Sequence, residues 1–581
     1  MKSLLCYLLN KLWVSLCSAE YRRFLNTMDN VRQVQQEVLS ALIRENCNTA
    51  YGMEFGFNTI QSIEDFREKI PLTTYEDYIS YIQRIKAGET SVLTEEPVVM
   101  LELSSGSTSS SKYIPYTKSL KKQFTCGINP WVYNLYQSCP ELLHGKAYWS
   151  VTPVITKKER TEGGIPVGFE EDSQYFGRIE KYLLDFLFAV PGEVKQVQNS
   201  QAFHYITLLF LLKEKSLAFI SIWNPTFLLL LLKPVQSFKD SLLKDLEEGT
   251  VTPPADVPRE LLRIFEKKLG RNKRRAEELK RIFSSTGSNE SFAGTPGFKA
   301  IWPQLRLISC WTDANAEIYI PQLKKLFPNV EIQGKGLLAT EAFVSFPFYK
   351  EEGALLSIRS HFFEFEELDE SRTLTGNILL AHELAVNRLY SVVVTTGGGF
   401  YRYRLQDIAE VLGFDRHCPR LKFIGKGEKI SDLCGEKLND LHVKAVVENA
   451  LIRNQLSVAF YLVAPEIEEA SGYVLFIETE TEGRFSCLQM NETKEPFPCF
   501  SNLVSEVEAG LCENFHYNYC RQLGQLRELR LFIIKGTEKH SGLETYLRTC
   551  REHGQREGNI KPCALHNRTG WAREFAGSFF E

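Results

Sequence analysis

One stretch, residues 99–117 (VMLELSSGSTSSSKYIPYT), constrains what the chain around it can be. Apolar residues from Val98 to Leu103 read as a strand, and the chain then runs Ser104-Ser105-Gly106-Ser107-Thr108-Ser109-Ser110-Ser111-Lys112. Ile114-Pro115 resumes extended chain, because the residue before a proline is driven out of the helical region. A loop slung between two apolar segments thus offers hydroxyls, bare backbone N–H groups, one glycine and a closing cation, the parts that wrap a polyphosphate. Ser/Gly tracts are often solvated linkers, but the apolar flanks and the single closing lysine argue against that here. A Walker A loop needs G-x-x-x-x-G-K-[ST] opening a helix. Counting from Gly106, Ser111 holds the place of the second glycine, Tyr113 follows Lys112, and Pro115 comes at once. The P-loop NTPases are excluded.

A chain of 581 residues exceeds one ordinary core, so two or more domains are expected. With a net charge of −4 and a pI near 6.3, nothing favours a nucleic-acid partner. Fourteen scattered cysteines, without a C-x-x-C pair, read as reduced thiols of a cytoplasmic protein rather than as a disulfide frame or zinc site. At the N-terminus Asn10-Lys11 breaks the apolar run, while Leu5, Leu8, Leu9, Leu12 and Leu16 recur at helical spacing. That pattern predicts an amphipathic first helix packed on the body rather than a cleaved signal. Residues 203–235 are split by Lys213-Glu214-Lys215 and by Asn224-Pro225, so no membrane span of about 20 apolar residues remains. They read as a helix to Leu212, a buried strand (LAFISIW), then a helix capped by Asn224 with Pro225 in its first position.

Further along, the basic segment 258–283 reads as a solvated helical face, since Glu277 and Glu278 are interleaved and no aromatic platform accompanies the cations. From residue 354 charged and apolar residues alternate, as in antiparallel strands. Residues 421–440, with glycines and dense charge after an apolar strand, look like a joint before a small α+β region. The expected architecture is α/β: a large N-terminal domain (1–425) of α/β sheets plus a β-barrel-like part, a hinge (426–437), and a smaller α+β C-terminal domain (438–581).

Three further places carry chemistry. Thr340-Glu341 ends an apolar run, and a carboxylate there suits Mg²⁺, which takes one or two carboxylates plus phosphate oxygens. Tyr401-Arg402-Tyr403-Arg404-Leu405-Gln406-Asp407 follows Thr396-Gly397-Gly398-Gly399. Asp407 follows a strand with cations and aromatics on alternate sides, where a carboxylate suits two ribose hydroxyls; a salt-bridged strand pair is the competing reading. Lys561, in Asn559-Ile560-Lys561-Pro562, lies beyond the joint.

The order of these features, Ser/Thr loop, Thr-Glu, Tyr-Arg…Asp, joint, late lysine, resembles that of the adenylate-forming enzymes. In detail SSGSTSSSK, WNPTFLLLLL, GKGLLATEAF, TTGGGFYRYRLQD and DLCGEKL are similar to the auxin-responsive (Gretchen Hagen) acyl-acid amido synthetases, over about residues 25–570. The resemblance implies a ligase that uses ATP and Mg²⁺ to adenylate a small carboxylic acid and passes the acyl group to an amino-acid amine. It implies phosphate contacts from Ser104, Ser105, Gly106, Ser107, Thr108 and Lys112, with Thr340 serving phosphate and Glu341 the metal. Tyr401, Arg402 and Asp407 fall in the nucleotide site, and Lys561 is the catalytic lysine, with Lys429 and Lys437 in the joint as substitutes. It implies a cytoplasmic monomer. An adenylating ligase ending in a coenzyme A thioester, or a non-enzymatic binder that kept the fold, remain the alternatives. Leu337 stands where plant members carry an aromatic, and Gln406 where they carry a glycine; a left-handed backbone at 406 would cost a glutamine more.

Overall fold

The computed structural model describes residues 2–104, 112–150, 159–168, 186–285, 297–369, 374–426, 430–431, 433, 436, 438–467, 471–479, 498–522, 526–536, 541–553, 555 and 560–580. Ser105, Gly106, Ser107 and Thr108 of the serine tract lie outside these, as do Lys429 and Lys437 of the joint. The chain divides into two compact units, 1–405 with 409–423, and 406–408 with 424–581. Both mix helices and sheets, as the α/β reading expects.

Among the described residues the first unit holds three sheets. Strands Lys146–Trp149, Leu217–Ser221, Leu307–Ser309 and Glu331–Gln333 form a parallel sheet in that order. Met100–Ser104 and Lys112–Tyr116 pair antiparallel inside a second four-stranded sheet. A seven-stranded sheet takes the strands from Ser345–Pro347 to Cys418–Lys426. The apolar stretch after residue 200 resolves as read: helix Ser200–Lys213, strand Leu217–Ser221, then helix Pro225–Leu232 with the Asn224 side chain accepting from Thr226 N. The first of these helices is apolar nearly all round because it is buried nearly all round, from Phe203 to Leu212. Among the described residues no helix is long and apolar enough to cross a membrane, and the described cysteines are all free thiols.

The first helix, Lys2–Thr27, forms as expected but turns its other face inward. Cys6, Asn10, Trp13, Val14, Cys17 and Phe24 are buried, whereas Leu5, Leu8, Leu12 and Leu16 are 45–52% exposed. Asn10, which looked like a break, is the anchor: its amide donates to the carbonyls of Leu143 and Gly145 at 2.9 and 3.0 Å. The indole of Trp13 fills more space than any leucine of the stripe, and its edge meets the ring of Tyr136 at 5.6 Å.

Among the described residues the second unit holds a two-stranded sheet, Ile430–Ser431 with Leu438–Asn439, and a four-stranded sheet in the order Val458–Ile467, Ser471–Thr479, Arg530–Ile534, Gly577–Phe579. Helices Asp440–Arg453, Pro498–Leu511, Phe515–Gln522 and Gly542–Glu552 belong to it.

Candidate active site

The two strands flanking the serine tract are in register, Met100 opposite Tyr116 and Ser104 opposite Lys112, so both ends of the tract leave from one base pair of the ladder. Lys112 is half-buried, with its ammonium 5.6 Å from the centre of the Tyr75 ring. That ring is fixed, because the Tyr75 hydroxyl accepts from Tyr113 N at 2.7 Å. Burial, and behind it the charges of neighbours including Glu341, push the Tyr75 phenol up from its ordinary range. A second cation, Lys86, lies 4.1 Å from the Tyr113 ring centre.

Thr340-Glu341 comes to the same hairpin. The Tyr116 hydroxyl donates to Thr340 O at 2.7 Å. The turn closes on itself through Ala339 N to Ala342 O at 3.0 Å. Gly336 enters it at φ +71°, where a Cβ would sit 2.6 Å from Ser345 O. Glu341 is only 8% exposed. Among the described residues no group of three or more carboxylate, histidine or cysteine side chains could hold a metal by itself. Mg²⁺ keeps waters and phosphate oxygens and needs only one or two carboxylates, so the chemistry of a lone buried carboxylate such as Glu341 fits that ion. Leu337, in the aromatic's place, is buried, and its N–H donates to Ser345 Oγ.

The glycine turn is tied to the other side of the hairpin. Thr117 caps helix Lys118–Ser138 by accepting from Leu120 N, and its own hydroxyl donates to Gly397 O at 2.7 Å. Gly397 N donates to Gln123 Oε1 at 2.7 Å, and a Cβ on Gly398 would meet Pro115 O at 2.7 Å. The tie depends on a bare backbone at these positions.

The Tyr401 and Arg402 side chains are held by partners of the first unit. The Tyr401 ring stacks on Tyr51 at 4.9 Å, and its buried hydroxyl donates to Leu93 O at 2.8 Å. Arg402, 5% exposed, grips Glu364 with Nε and Nη2 and donates from Nη1 to the carbonyls of Ile70 and Arg67. Both side chains are committed inside the first unit. Arg404 makes the salt-bridged strand pair that was the competing reading, two bonds of 2.8 Å to Glu366.

Asp407 lies within strand Tyr403–Asp415 rather than after it. It is 3% exposed, and its carboxylate is 3.6 Å from the Lys426 ammonium. Gln406 before it has φ +59°. The chain holds here the left-handed backbone that a glycine would take without cost. Lys561 is exposed, and its carbonyl accepts from the Tyr546 hydroxyl at 3.1 Å. The residues after it join a sheet edge: Val463 N donates to Ala564 O, and Leu565 N to the buried Asp440 carboxylate at 2.7 Å. Asp407 and Lys561 belong to the second unit, Lys112 and Glu341 to the first.

Sequence reasoning missed Tyr75, Tyr116 and Gln123, which fix the hairpin to its neighbours. Tyr116 stands two residues after Ile114 on the same face, and that period was the one available signal.

The N-terminal, central and C-terminal domains that define the GH3 family match residues 20–332, 354–426 and 441–568. The chain belongs to the GH3 family. Indole-3-acetic acid-amido synthetase GH3.4 of Arabidopsis thaliana is 25% identical over 441 residues, covering 72% of this chain and 71% of that protein. Jasmonoyl–L-amino acid synthetase JAR4 of Nicotiana attenuata is 24% identical over 539 residues, 89% of this chain and 88% of the relative. The AtGH3.15 acyl acid amido synthetase, solved in complex with 2,4-DB, shares the fold with a TM-score of 0.79 at 20% identity, over 97% of this chain and 95% of its own. Within the GH3 family, then, this chain has the shared fold.

Proposed function

We propose that this GH3-family chain is an ATP-dependent acid–amino acid ligase. The observation that carries the reading is the tie between hairpin and turn: the Tyr116 hydroxyl holds the Thr340 carbonyl, next to the buried Glu341, on the hairpin that carries Lys112. A cation and a buried carboxylate thus sit on one tied hairpin and turn, and a metal-bound triphosphate requires both.

Ser104, Ser105, Gly106, Ser107 and Thr108 would hold phosphates with Lys112, and Thr340 would join them. Glu341 would hold Mg²⁺, which when bound neutralises charge on the phosphates. Asp407 would take the ribose hydroxyls. An oxygen of the substrate carboxylate attacks the α-phosphorus, the bond to the bridging oxygen breaks, and pyrophosphate leaves. The amino-acid amine then attacks the acyl carbon, AMP leaves with the bonding pair, and the amine's proton passes to solvent. In the first step the protein positions the reactants and neutralises charge. Lys561 would neutralise the α-phosphate during that step, carried there by a movement of the small unit. Tyr401 and Arg402 serve as scaffold beneath the site.

Pyrophosphate release measured across a panel of carboxylic acids tests the reading. Release that depends on ATP and on one class of acid, followed by amide when amino acids are added, supports it. Release followed by thioester with coenzyme A selects the other ligase, and ATP binding without release with any acid leaves a binder.

A further inference from the structure

With the seam of Cys6, Asn10, Trp13 and Cys17 turned inward, helix Lys2–Thr27 carries its leucines on the outside. Leu4, Leu8, Leu12 and Leu16 recur every fourth residue with Leu5 beside them, each 45–63% exposed. Residues four apart stack on one face of a helix, so they form one apolar strip about 18 Å long. Single exposed leucines need no explanation, but a contiguous strip marks a surface that something covers. The charge around the strip selects the cover. Residues 1–19 contain no acid. Lys11 lies beside the leucines, and Arg22 and Arg23 continue the same face, all three exposed. The first acid, Glu20, is turned onto Arg359 at 2.7 Å, with Arg23 at 3.5 Å.

A second basic surface stands at the same end of the first unit. Helices Arg259–Leu269 and Lys273–Ser285, with the turn between them, expose Arg263, Lys267, Arg271, Arg274, Lys280 and Arg281. Their exposed acids are Glu260 and Glu277, and Ile264 stands out among the cations. In a chain of net charge −4 this is a segregation of charge, not its average. Both surfaces lean on the strand-start end of the parallel sheet. Cys6 Sγ donates to Gly145 O at 3.2 Å, one residue before strand Lys146–Trp149. Arg275 Nε donates to Leu212 O at 2.9 Å, and Lys215, two residues before strand Leu217–Ser221, pairs with Glu278. The Lys146 ammonium, 3.7 Å from the Glu214 carboxylate, links the two places. Ligands of open parallel sheets bind outside the carboxyl ends of the strands, where this chain runs on from strand Glu331–Gln333 into the Thr340-Glu341 turn. A partner at the strand-start end leaves that turn open.

We infer that the first unit docks on an anionic lipid surface. The leucine strip enters the boundary between headgroups and acyl chains, and the cations of the two basic helices rest on the headgroups. A helix that is apolar on its outer side and flanked by lysine and arginine lies in that plane, and each cation near an anionic leaflet adds to the attraction. A second copy of the chain fits the strip less well. Leu8 and Leu12 bracket the middle of the strip, so strip packed on strip about a twofold axis sets Lys11 close to Lys11 of the copy. Residues 1–19 hold no carboxylate to answer that repulsion, whereas a lipid phosphate or carboxylate does.

The test is sedimentation of the full chain with vesicles of phosphatidylcholine and phosphatidylserine in equal parts, and with vesicles of phosphatidylcholine alone. The parent protein is expected to bind the anionic vesicles about tenfold or more tightly, and to leave them as salt rises. Leu8→Gln together with Leu12→Gln should weaken that binding about tenfold or more. The urea midpoint of this variant should stay at the parent's, because both side chains lie outside the core. Arg271→Glu together with Arg274→Glu should remove the preference for anionic vesicles while the leucines are intact. Failure to sediment with the anionic vesicles overturns the inference, as does equal affinity for the two kinds or binding that the leucine variant leaves intact. A dimer in light scattering that the leucine substitutions return to a monomer gives the strip to a second copy, and overturns it as well.

Discussion

Arg402 and Asp407 stand five residues apart in one conspicuous motif, yet their surroundings assign them different work. All three guanidinium nitrogens of Arg402 donate, to Glu364 and to two carbonyls, while Glu364 also takes Arg67 at 2.8 Å. Removing one partner of a buried pair strands the other, so Arg402→Ala should lower stability by roughly 3–5 kcal/mol in urea unfolding. Asp407 faces a lysine that is 45% exposed, and such a pair contributes less than about 1 kcal/mol. Asp407→Asn should therefore fold normally and bind ATP about tenfold or more weakly by calorimetry, through loss of charge-assisted bonds to the ribose. Unchanged ATP affinity would remove Asp407 from the site. Gln406 offers a cleaner test of backbone strain. At φ +59° a side chain costs about 1 kcal/mol that glycine avoids. Gln406→Gly should be neutral or stabilising by up to that amount, with ATP affinity kept; a large loss of affinity would show that the glutamine side chain has a role of its own.

The elements show what a linear reading can and cannot reach. The Asn224-Pro225 start of helix Pro225–Leu232 was legible because capping is settled within three residues. The partner strand that gives Arg402 its acceptor begins at Phe362, too far along the chain for spacing to announce it. The loop, the Thr-Glu turn and the aspartate were legible as residue types, but the tyrosines that fix them act across distant strands. The first helix was half legible. It has apolar residues on two faces, and periodicity alone favours the leucines over the seam of Cys6, Asn10, Trp13 and Cys17 that packs. Denaturation of two variants checks this. Trp13→Ala should cost about 3–5 kcal/mol, and Leu12→Gln should change stability by no more than about 0.5 kcal/mol.

At the scale of the whole molecule two dependences follow. His361 is fully buried, accepts from Phe343 N at 3.0 Å, and lies against the rings of Phe124 and Phe363. Burial holds it neutral, its pKa pushed down from 6.5 to about 3. Between those values the unfolded chain binds a proton that the folded chain refuses. The stability is complete above the unfolded value and falls as pH drops below it, by about 2 kcal/mol at pH 5. Urea unfolding at pH 7 and pH 5 should show that loss, and His361→Gln should remove it from the difference. The second dependence is on Lys561, which shares a unit with Asp407 and not with Lys112. If the small unit carries it to the phosphates only for the first step, Lys561→Ala slows adenylation about a hundredfold or more. The same variant, given preformed acyl-adenylate and an amino acid, still makes amide at a near-normal rate. Equal slowing of both steps would make the lysine structural.

The bond from Thr117 to Gly397 joins residues 280 apart, and Gln35 and Arg67 reach as far, to the Ile358 carbonyl and to Glu364. Ribosomes add about 5–20 residues per second, so roughly 14–56 s separate the emergence of Thr117 from that of its partner. The hairpin that carries Lys112 is thus among the first parts of this protein to be made and among the last to be finished. Throughout that interval a nascent chain holds the Lys112 hairpin without the glycine turn that will brace it, and Gln35 and Arg67 wait for acceptors not yet made. A refolding yield that rises with slow dilution or with an added chaperone is the outcome expected from that separation.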